Sequence, residues 1–328
     1  MPERQLDLFA TPTLPPLRRS VDVAAVDPAV AALAAQLPAA IRLGTSSWSF
    51  PGWAGLVYDR AASVAVLARD GLAAYARHPL LRSVGIDRTY YAPLTAVDFA
   101  AYAAAVPDDF RFLVKAPETL TAALFPRHPR YGADAGGRNA GFLDAAWAGD
   151  AVCAPLIDGL GEKAGVLVFQ FPPQPPAPMG GAQHFPHRLQ RFLDRLPRRL
   201  TYAVELRNAS LMTEAYGAAL ADVGACHVVN VHPNVPPPAI QADLFDRPDA
   251  PALVVRWMLG HGQSYEAARD RYRPFDRLVD EDPVNRHAVA ALCRASAVRQ
   301  RPAYVIINNK AEGSAPLSAI ELAREITV

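Results

Sequence analysis

Tyr202-Ala203-Val204-Glu205-Leu206-Arg207-Asn208 decides how the rest of the chain is read. A short apolar strand ends abruptly in a carboxylate and a guanidinium. Side chains alternate along a strand, so Ala203, Glu205 and Arg207 share one face. A buried carboxylate is costly unless paired, and an arginine supplies a bidentate partner. The same layout of apolar strand, polar cluster and helix recurs along the chain. Its repetition describes a parallel barrel whose strand ends converge on one site.

Upstream, strands are expected at Ile41–Trp48, running into a polar, aromatic loop, and at Val84–Asp87, Phe110–Lys115 and Gly165–Gln170. The last is nearly all apolar, as a strand buried on both faces should be. Downstream, Cys226–Val231, Ala252–Trp257 and Ala303–Ile307 complete a set of eight. Helical spacing fills the intervals at about Ser63–Arg77, Ala96–Ala105, Phe142–Leu160, Pro186–Leu196, Thr213–Val223, Tyr265–Arg273, Pro283–Arg299 and Leu317–Ile326. An α/β fold follows, a (β/α)8 TIM-type barrel with long βα loops. A doubly wound sheet is the alternative, and the eightfold count favours the barrel. The segment from Pro117 to about Asn139 carries Arg127, His128, Arg130 and Arg138 and is expected to be an excursion above the barrel. Residues 1–40 read as a peripheral N-terminal extension, partly flexible, ahead of a barrel domain at 41–328. The extension holds a Pro-rich stretch from Thr11 to Pro16 and an Ala-rich helix at about Asp27–Leu37.

At 328 residues, 51% of them hydrophobic, the chain can bury a sizeable core in one large domain or two ordinary ones. No apolar run reaches the roughly 18 residues that span a bilayer. Met1-Pro2-Glu3-Arg4-Gln5 lacks the basic-then-apolar layout of a signal peptide. Cys153, Cys226 and Cys293 are odd in number and scattered, which argues against a disulfide framework or a metal knuckle. A cytoplasmic protein with no membrane partner is expected. A net charge of +1 supplies no global field toward nucleic acid or membrane. The cations are lopsided, however: among 33 basic residues only Lys115, Lys163 and Lys310 are lysines. A lysine kept in such a background marks a place where arginine is a poor substitute. Lys115 and Lys310 fall at or just beyond strand ends.

Gly44-Thr45-Ser46-Ser47-Trp48-Ser49-Phe50, Thr89-Tyr90-Tyr91, Phe112-Leu113-Val114-Lys115-Ala116-Pro117, Phe169-Gln170-Phe171-Pro172-Pro173, Val204-Glu205-Leu206-Arg207 and Asn308-Asn309 occur in this order. Together, over about residues 41–326, they resemble the DUF72 (YecE-like) family. The resemblance implies a TIM-type barrel, in agreement with the strand count, and implies no particular activity. The chain departs from the commoner family pattern in three places. A glutamate usual on the second strand is Gly85, an asparagine two places on is Asp87, and a histidine after the Glu-x-Arg is Asn208. Gly85 and Asp87 share a face by alternation, so the carboxylate has moved two residues along.

Polar groups at strand C-termini are the expected site in a barrel, because the βα loops build it there. The inward set is Trp48, Asp87, Lys115, Gln170, Glu205, Arg207, Arg256, Asn308 and Asn309. Asp87 and Glu205 suit an acid/base pair. Lys115 suits an anion or, as a desolvated amine, Schiff-base chemistry. Arg207 and Arg256 match phosphate or carboxylate, while Trp48 and Tyr91 suit stacking on a sugar or base. The same groups would also serve as a buried ion-pair network that fixes the barrel without chemistry. No H-E-x-x-H or clustered Cys/His spacing implies a protein-bound metal, and His227, His232 and His261 stand isolated. No cofactor is implied, although a divalent cation on Asp87 and Glu205 fits the pattern. His187, Arg188, Arg191, Arg195, Arg198 and Arg199 gather several cations at spacings of three and four, with Asp194 the one acid. A solvated outer helix face is the expected reading of that run.

Gln5-Leu6-Asp7-Leu8-Phe9 resembles the pentapeptide by which bacterial DNA polymerases and repair factors dock on the sliding clamp. Gln241-Ala242-Asp243-Leu244-Phe245 resembles it as well. One such match arises by chance in this length with a probability on the order of one per cent. The resemblance implies a partner pocket for the leucine and phenylalanine. Their packing back on the barrel is the alternative.

These readings converge on an enzyme with a barrel-top site, a hydrolase or lyase acting on an anionic, sugar-containing substrate. Asp87 and Glu205 would be acid and base, with Lys115 and Arg207 as anion clamps. A functional clamp motif would make the substrate nucleic acid, with a role in DNA maintenance. Two other classes stand beside it: a non-catalytic protein that binds the clamp or a ligand, and a small-molecule sugar isomerase or hydrolase unrelated to DNA.

Overall fold

The computed structural model describes residues 20–260 and 262–328. Gln5, Leu6, Asp7, Leu8 and Phe9, the N-terminal clamp-like motif, lie outside the described residues, as does His261. Eight parallel strands close a barrel in sequence order, with the last paired to the first. They are β1 (Ile41–Thr45), β2 (Leu81–Ile86), β3 (Arg111–Lys115), β4 (Ala164–Phe171), β5 (Tyr202–Leu206), β6 (Cys226–Val231), β7 (Leu253–Trp257) and β8 (Ala303–Ile307). The barrel expected from the strand count is the fold.

Helix α1 (Pro28–Gln36) precedes the barrel; its N-cap is Asp27, and Val30, Ala34 and Leu37 join the outer core, where α1 packs beside the last helix. Within the barrel the strands return through α2 (Val64–Tyr75), α3 (Ala96–Ala104), α4 (Ala154–Leu160), α5 (Gly181–Asp194), α6 (Glu214–Val223), α7 (Pro238–Phe245), α8 (Tyr265–Tyr272) with α9 (Pro283–Val298), and α10 (Ala315–Thr327). Side chains that bind the first free N–H groups start several of them: Ser63 for α2, Thr95 with Asp98 as a capping box for α3, and Thr213 for α6. No described helix is long and apolar enough to cross a membrane.

Two regions differ from the sequence reading. The single helix expected over Phe142–Leu160 starts at Ala145 and widens into a π-turn at Gly149–Cys153 before α4. Pro155 has no N–H to give the carbonyl four residues back, so the regular ladder breaks there. The Pro-rich stretch after β6, where the sequence reading places no helix, contains α7, with Pro238 at a helical N-terminal position where its missing donor costs nothing.

Candidate active site at the strand ends

Inside the barrel, Leu113, Val168, Ala203, Val228, Val254 and Ile306 belong to one closed apolar cluster. Two residues further along these strands, alternation turns the next side chains inward: Lys115, Gln170, Glu205, Asn230, Arg256 and Asn308. The first two strands lead in the same way from Gly44 to Ser46 and from Gly85 to Asp87. All eight strands therefore change from apolar side chain or glycine to polar within one pleat. The change falls at their C-terminal ends, where barrels build their sites.

Arg256 is the hub of this layer. Its Nη1 donates to Glu205 Oε2 at 2.6 Å and to Gln170 Oε1 at 3.0 Å, and its Nη2 meets both Asp87 oxygens at 3.3 Å. Glu205 has no exposed surface, and it also accepts from Arg207 Nε at 2.5 Å and from Asn230 Nδ2 at 3.0 Å. Burial alone would raise its pKa. The Arg207 and Arg256 guanidiniums, the hydrogen bond from Arg256 and the Lys115 charge overcome that effect and hold it at about 2. A carboxylate with three strong donors and so low a pKa carries no proton near neutrality. The acid/base role expected of Glu205 therefore gives way to that of a fixed counter-ion. A divalent cation placed between Asp87 and Glu205 would meet the Arg256 guanidinium, which already bridges the two carboxylates. Among the described residues no group of three His, Cys, Asp or Glu side chains is placed to hold a metal ion.

Lys115 is buried, with its ammonium 3.8 Å from the centre of the Tyr90 ring. Its Nζ makes no hydrogen bond or ion pair among the described residues. Desolvation is the main cause that lowers its pKa to about 8; Arg256 and Arg207 add to it, while Asp87 and Glu205 oppose it. Tyr90 in turn donates to Glu118 Oε1 at 2.8 Å, and Arg130 and the Tyr131 hydroxyl converge on the same carboxylate. Arg130 also lies 5.2 Å over the Tyr91 ring. The expected excursion after β3 is thus tied to the ring that supports the lysine.

The other expected residues divide. Asp87 is the open member of the layer, with 36% of its side chain exposed, and Tyr91 stands out at the rim. Asn308 faces inward, donating to Ser46 Oγ at 2.9 Å and accepting from Lys310 Nζ at 3.2 Å. Trp48 is elsewhere: its Nε1 donates to Ala68 O of α2 at 3.4 Å, and its ring meets Tyr102 of α3 edge-on at 5.3 Å. The strand has already ended at Thr45, so alternation no longer aims that side chain. Asn309 is a structural tie, its Oδ1 accepting from Trp53 Nε1 at 3.2 Å and from the Ala315 amide at 2.9 Å at the start of α10. His232, with its pKa lowered to about 4 by burial and by Arg207, is neutral beside the site.

Ser46, Asn230 and Tyr90 were not singled out by the sequence. The step of two residues applied to β1 and β6 would have found the first two; Tyr90 stands in the Thr89-Tyr90-Tyr91 motif, but it lies beyond β2, where alternation does not aim it at Lys115. The second clamp-like stretch is consumed by the fold. The Gln241 side chain accepts from the Asn230 amide at 3.0 Å and donates to its carbonyl at 2.8 Å, as a neighbouring strand would. Phe245 packs against Tyr216 and His227 at 5.3 and 4.9 Å. Lys115, Arg207 and Arg256 against Asp87 and Glu205 leave the layer one positive charge in excess, a setting that favours an anion.

A family model described as "Protein of unknown function DUF72" matches residues 42–328. The chain belongs to the DUF72 family. Among solved structures, a DUF72 family protein from Enterococcus faecalis superposes with a TM-score of 0.60 at 18% identity, over 88% of this chain and 96% of that one. A DUF72 family protein from Thermotoga maritima gives a TM-score of 0.52 at 22% identity, over 87% and 98%. Likeness at these identities concerns the fold alone. No curated protein gives a significant match.

Proposed function

We propose that this DUF72 barrel is a lyase that acts on an anionic, sugar-containing substrate through the Lys115 amine. One observation carries the reading: a buried lysine, without a hydrogen-bond partner, sits on an aromatic ring in a layer that has one surplus positive charge. With its pKa at about 8 against the ordinary 10.5, roughly a tenth of the amine is neutral at pH 7, against about one part in 3,000 for an ordinary lysine. Attack of that amine on the aldehyde carbon of an open-chain sugar, with loss of water, gives an iminium. The iminium draws electrons from the neighbouring C–H. Asp87, the open carboxylate, takes that proton, and a leaving group on the next carbon departs with the electron pair. Water then releases the product and regenerates the amine. Arg207 holds the substrate anion, and Tyr91 offers a stacking face at the rim.

Incubation with cyanoborohydride and either phosphorylated aldoses or an oligonucleotide bearing an abasic site should trap an adduct. Peptide mass spectrometry is expected to find it at Lys115, and to find none in Lys115→Arg. No adduct from any of these substrates, or equal yield from the variant, sinks the amine reading. Adducts with the aldoses but not the oligonucleotide would favour a small-molecule lyase. A second element of the proposal is recruitment: the resemblance of Gln5–Phe9 to clamp-docking peptides supports delivery of this site to DNA by a bacterial sliding clamp.

A further inference from the structure

Helix α5 turns Phe185, Leu189, Phe192 and Leu193 into the core. At about 100° per residue, His184, His187, Arg188 and Arg191, with Arg195 at the C-cap, fall together on the opposite side in a stripe about 100° wide. All five are exposed. Asp194 lies at the edge of the stripe and is engaged by Arg198 at 2.5 Å. Arg188 is held in place, donating to Met179 O at 3.0 Å with its guanidinium 5.1 Å over the Phe142 ring. Arg191 and Arg195 are different: neither guanidinium has a hydrogen bond or ion pair among the described residues. Cations three and four residues apart on a helix repel one another, and no ion pair among the described residues offsets that at Arg191 and Arg195.

These three arginines, with Phe142 and Phe192, line a cavity of about 200 Å³ that has no carboxylate in its wall. Guanidinium forks around an aromatic floor match a phosphate oxygen pair and the flat group next to it. The stripe also extends beyond the cavity. From His184 to Arg195 it runs roughly 16 Å at 1.5 Å per residue, the length of about five phosphate steps of one strand at 3.4 Å each. A mononucleotide would use only the cavity, so the stripe favours a polymer. Because α5 leaves the loop after β4, its basic face begins at the rim of the barrel mouth and runs down the outside.

We infer that this face of α5 binds the phosphate backbone of a nucleic acid, with one phosphate seated between Arg188, Arg191 and Arg195. The surface uses residues apart from Lys115, and it stands or falls separately from the amine reading. The test is fluorescence anisotropy of full-length protein with labelled single strands and duplexes of about 20 units, from about 50 to about 200 mM salt. Arg191→Ala/Arg195→Ala should weaken binding about tenfold or more and flatten the plot of log affinity against log salt by about 1.5. A control that removes two arginines on other helices (Arg69→Ala/Arg269→Ala) should bind as the wild type does. The inference is overturned by a wild type that binds neither nucleic acid. It is equally overturned by unchanged affinity and slope in the double variant, or by an equal loss in the control.

Discussion

Replacing Arg256 with methionine removes the centre of the polar layer while keeping most of the side-chain bulk. The arginine is 1% exposed, so nothing it releases returns to water. Glu205 loses its 2.6 Å partner, Asp87 its guanidinium, and Gln170 a donor at 3.0 Å. Breaking a buried pair from one side costs about 3–5 kcal/mol. Arg207 and Asn230 still hold Glu205, so the lower end applies, and at about 2 °C per kcal/mol for a chain of this size the melting temperature should fall by roughly 6 °C. Glu205→Gln should cost a similar amount by leaving Arg207 and Arg256 facing each other. The double variant should be less damaged than the sum of the two, by about 1–3 kcal/mol. The same carboxylate fixes a pH window. Its folded pKa of about 2 lies below the ordinary 4.5, so its contribution is complete above 4.5 and is lost as pH falls toward 2. That contribution is on the order of 3 kcal/mol, and Glu205→Gln should show a correspondingly flatter loss of stability in acid. Thermal unfolding followed by far-ultraviolet circular dichroism reads all of these. An Arg256→Met protein that melts within about 2 °C of the wild type, or additive single variants, would refute the buried hub.

Lys115→Met should abolish the trapped adduct yet raise the melting temperature at neutral pH. A folded pKa of about 8 against the ordinary 10.5 means the native state holds a buried charge that unfolding relieves. The penalty is on the order of 3 kcal/mol, fully present below pH 8 and lost as pH rises toward 10.5; a variant less stable than the wild type at pH 7 contradicts it. A peptide of residues 1–15 should bind purified bacterial sliding clamp with a dissociation constant on the order of ten micromolar, and its Leu8→Ala/Phe9→Ala form should not. Equal titration curves, or none from either at about 100 micromolar, end the recruitment proposal.

The barrel was legible because its information is local: each strand is a short apolar run closed by a polar residue, and the spacing repeats. The inward members of the site were legible for the same reason wherever the strand continues, as at Lys115, Gln170, Glu205 and Arg256. Legibility ended with the strand. Trp48 and Asn309 lie beyond β1 and β8, where loop geometry, not alternation, sets direction. Roles were harder to read than positions. Glu205 has the composition of a catalytic acid, but the number of donors around it is a three-dimensional fact, and that number makes it a counter-ion. Gln241 failed similarly: nothing local distinguishes a docking glutamine from one that completes the edge of β6.

The three lysines differ in what holds them. Lys163, just before β4 and away from the polar layer, donates to the Ala103 and Val106 carbonyls at 2.9 and 2.7 Å, and Lys310, beyond β8, reaches Asn308. Only Lys115 lacks such a partner. The carboxylate nearest to an open role is likewise set by packing. A Cβ added at Gly44 would lie 2.1 Å from the Ser83 carbonyl oxygen, an outright clash, and one at Gly85 would lie 3.2 Å from the Ser46 carbonyl oxygen, a contact that its neighbour must relieve by a few tenths of an ångström. The glutamate usual in the family at the position of Gly85 would need that contact to open. Asp87, two residues on, clears it and still reaches Arg256. At the rim, Asp87 stays open to solvent while Arg256 holds it from within.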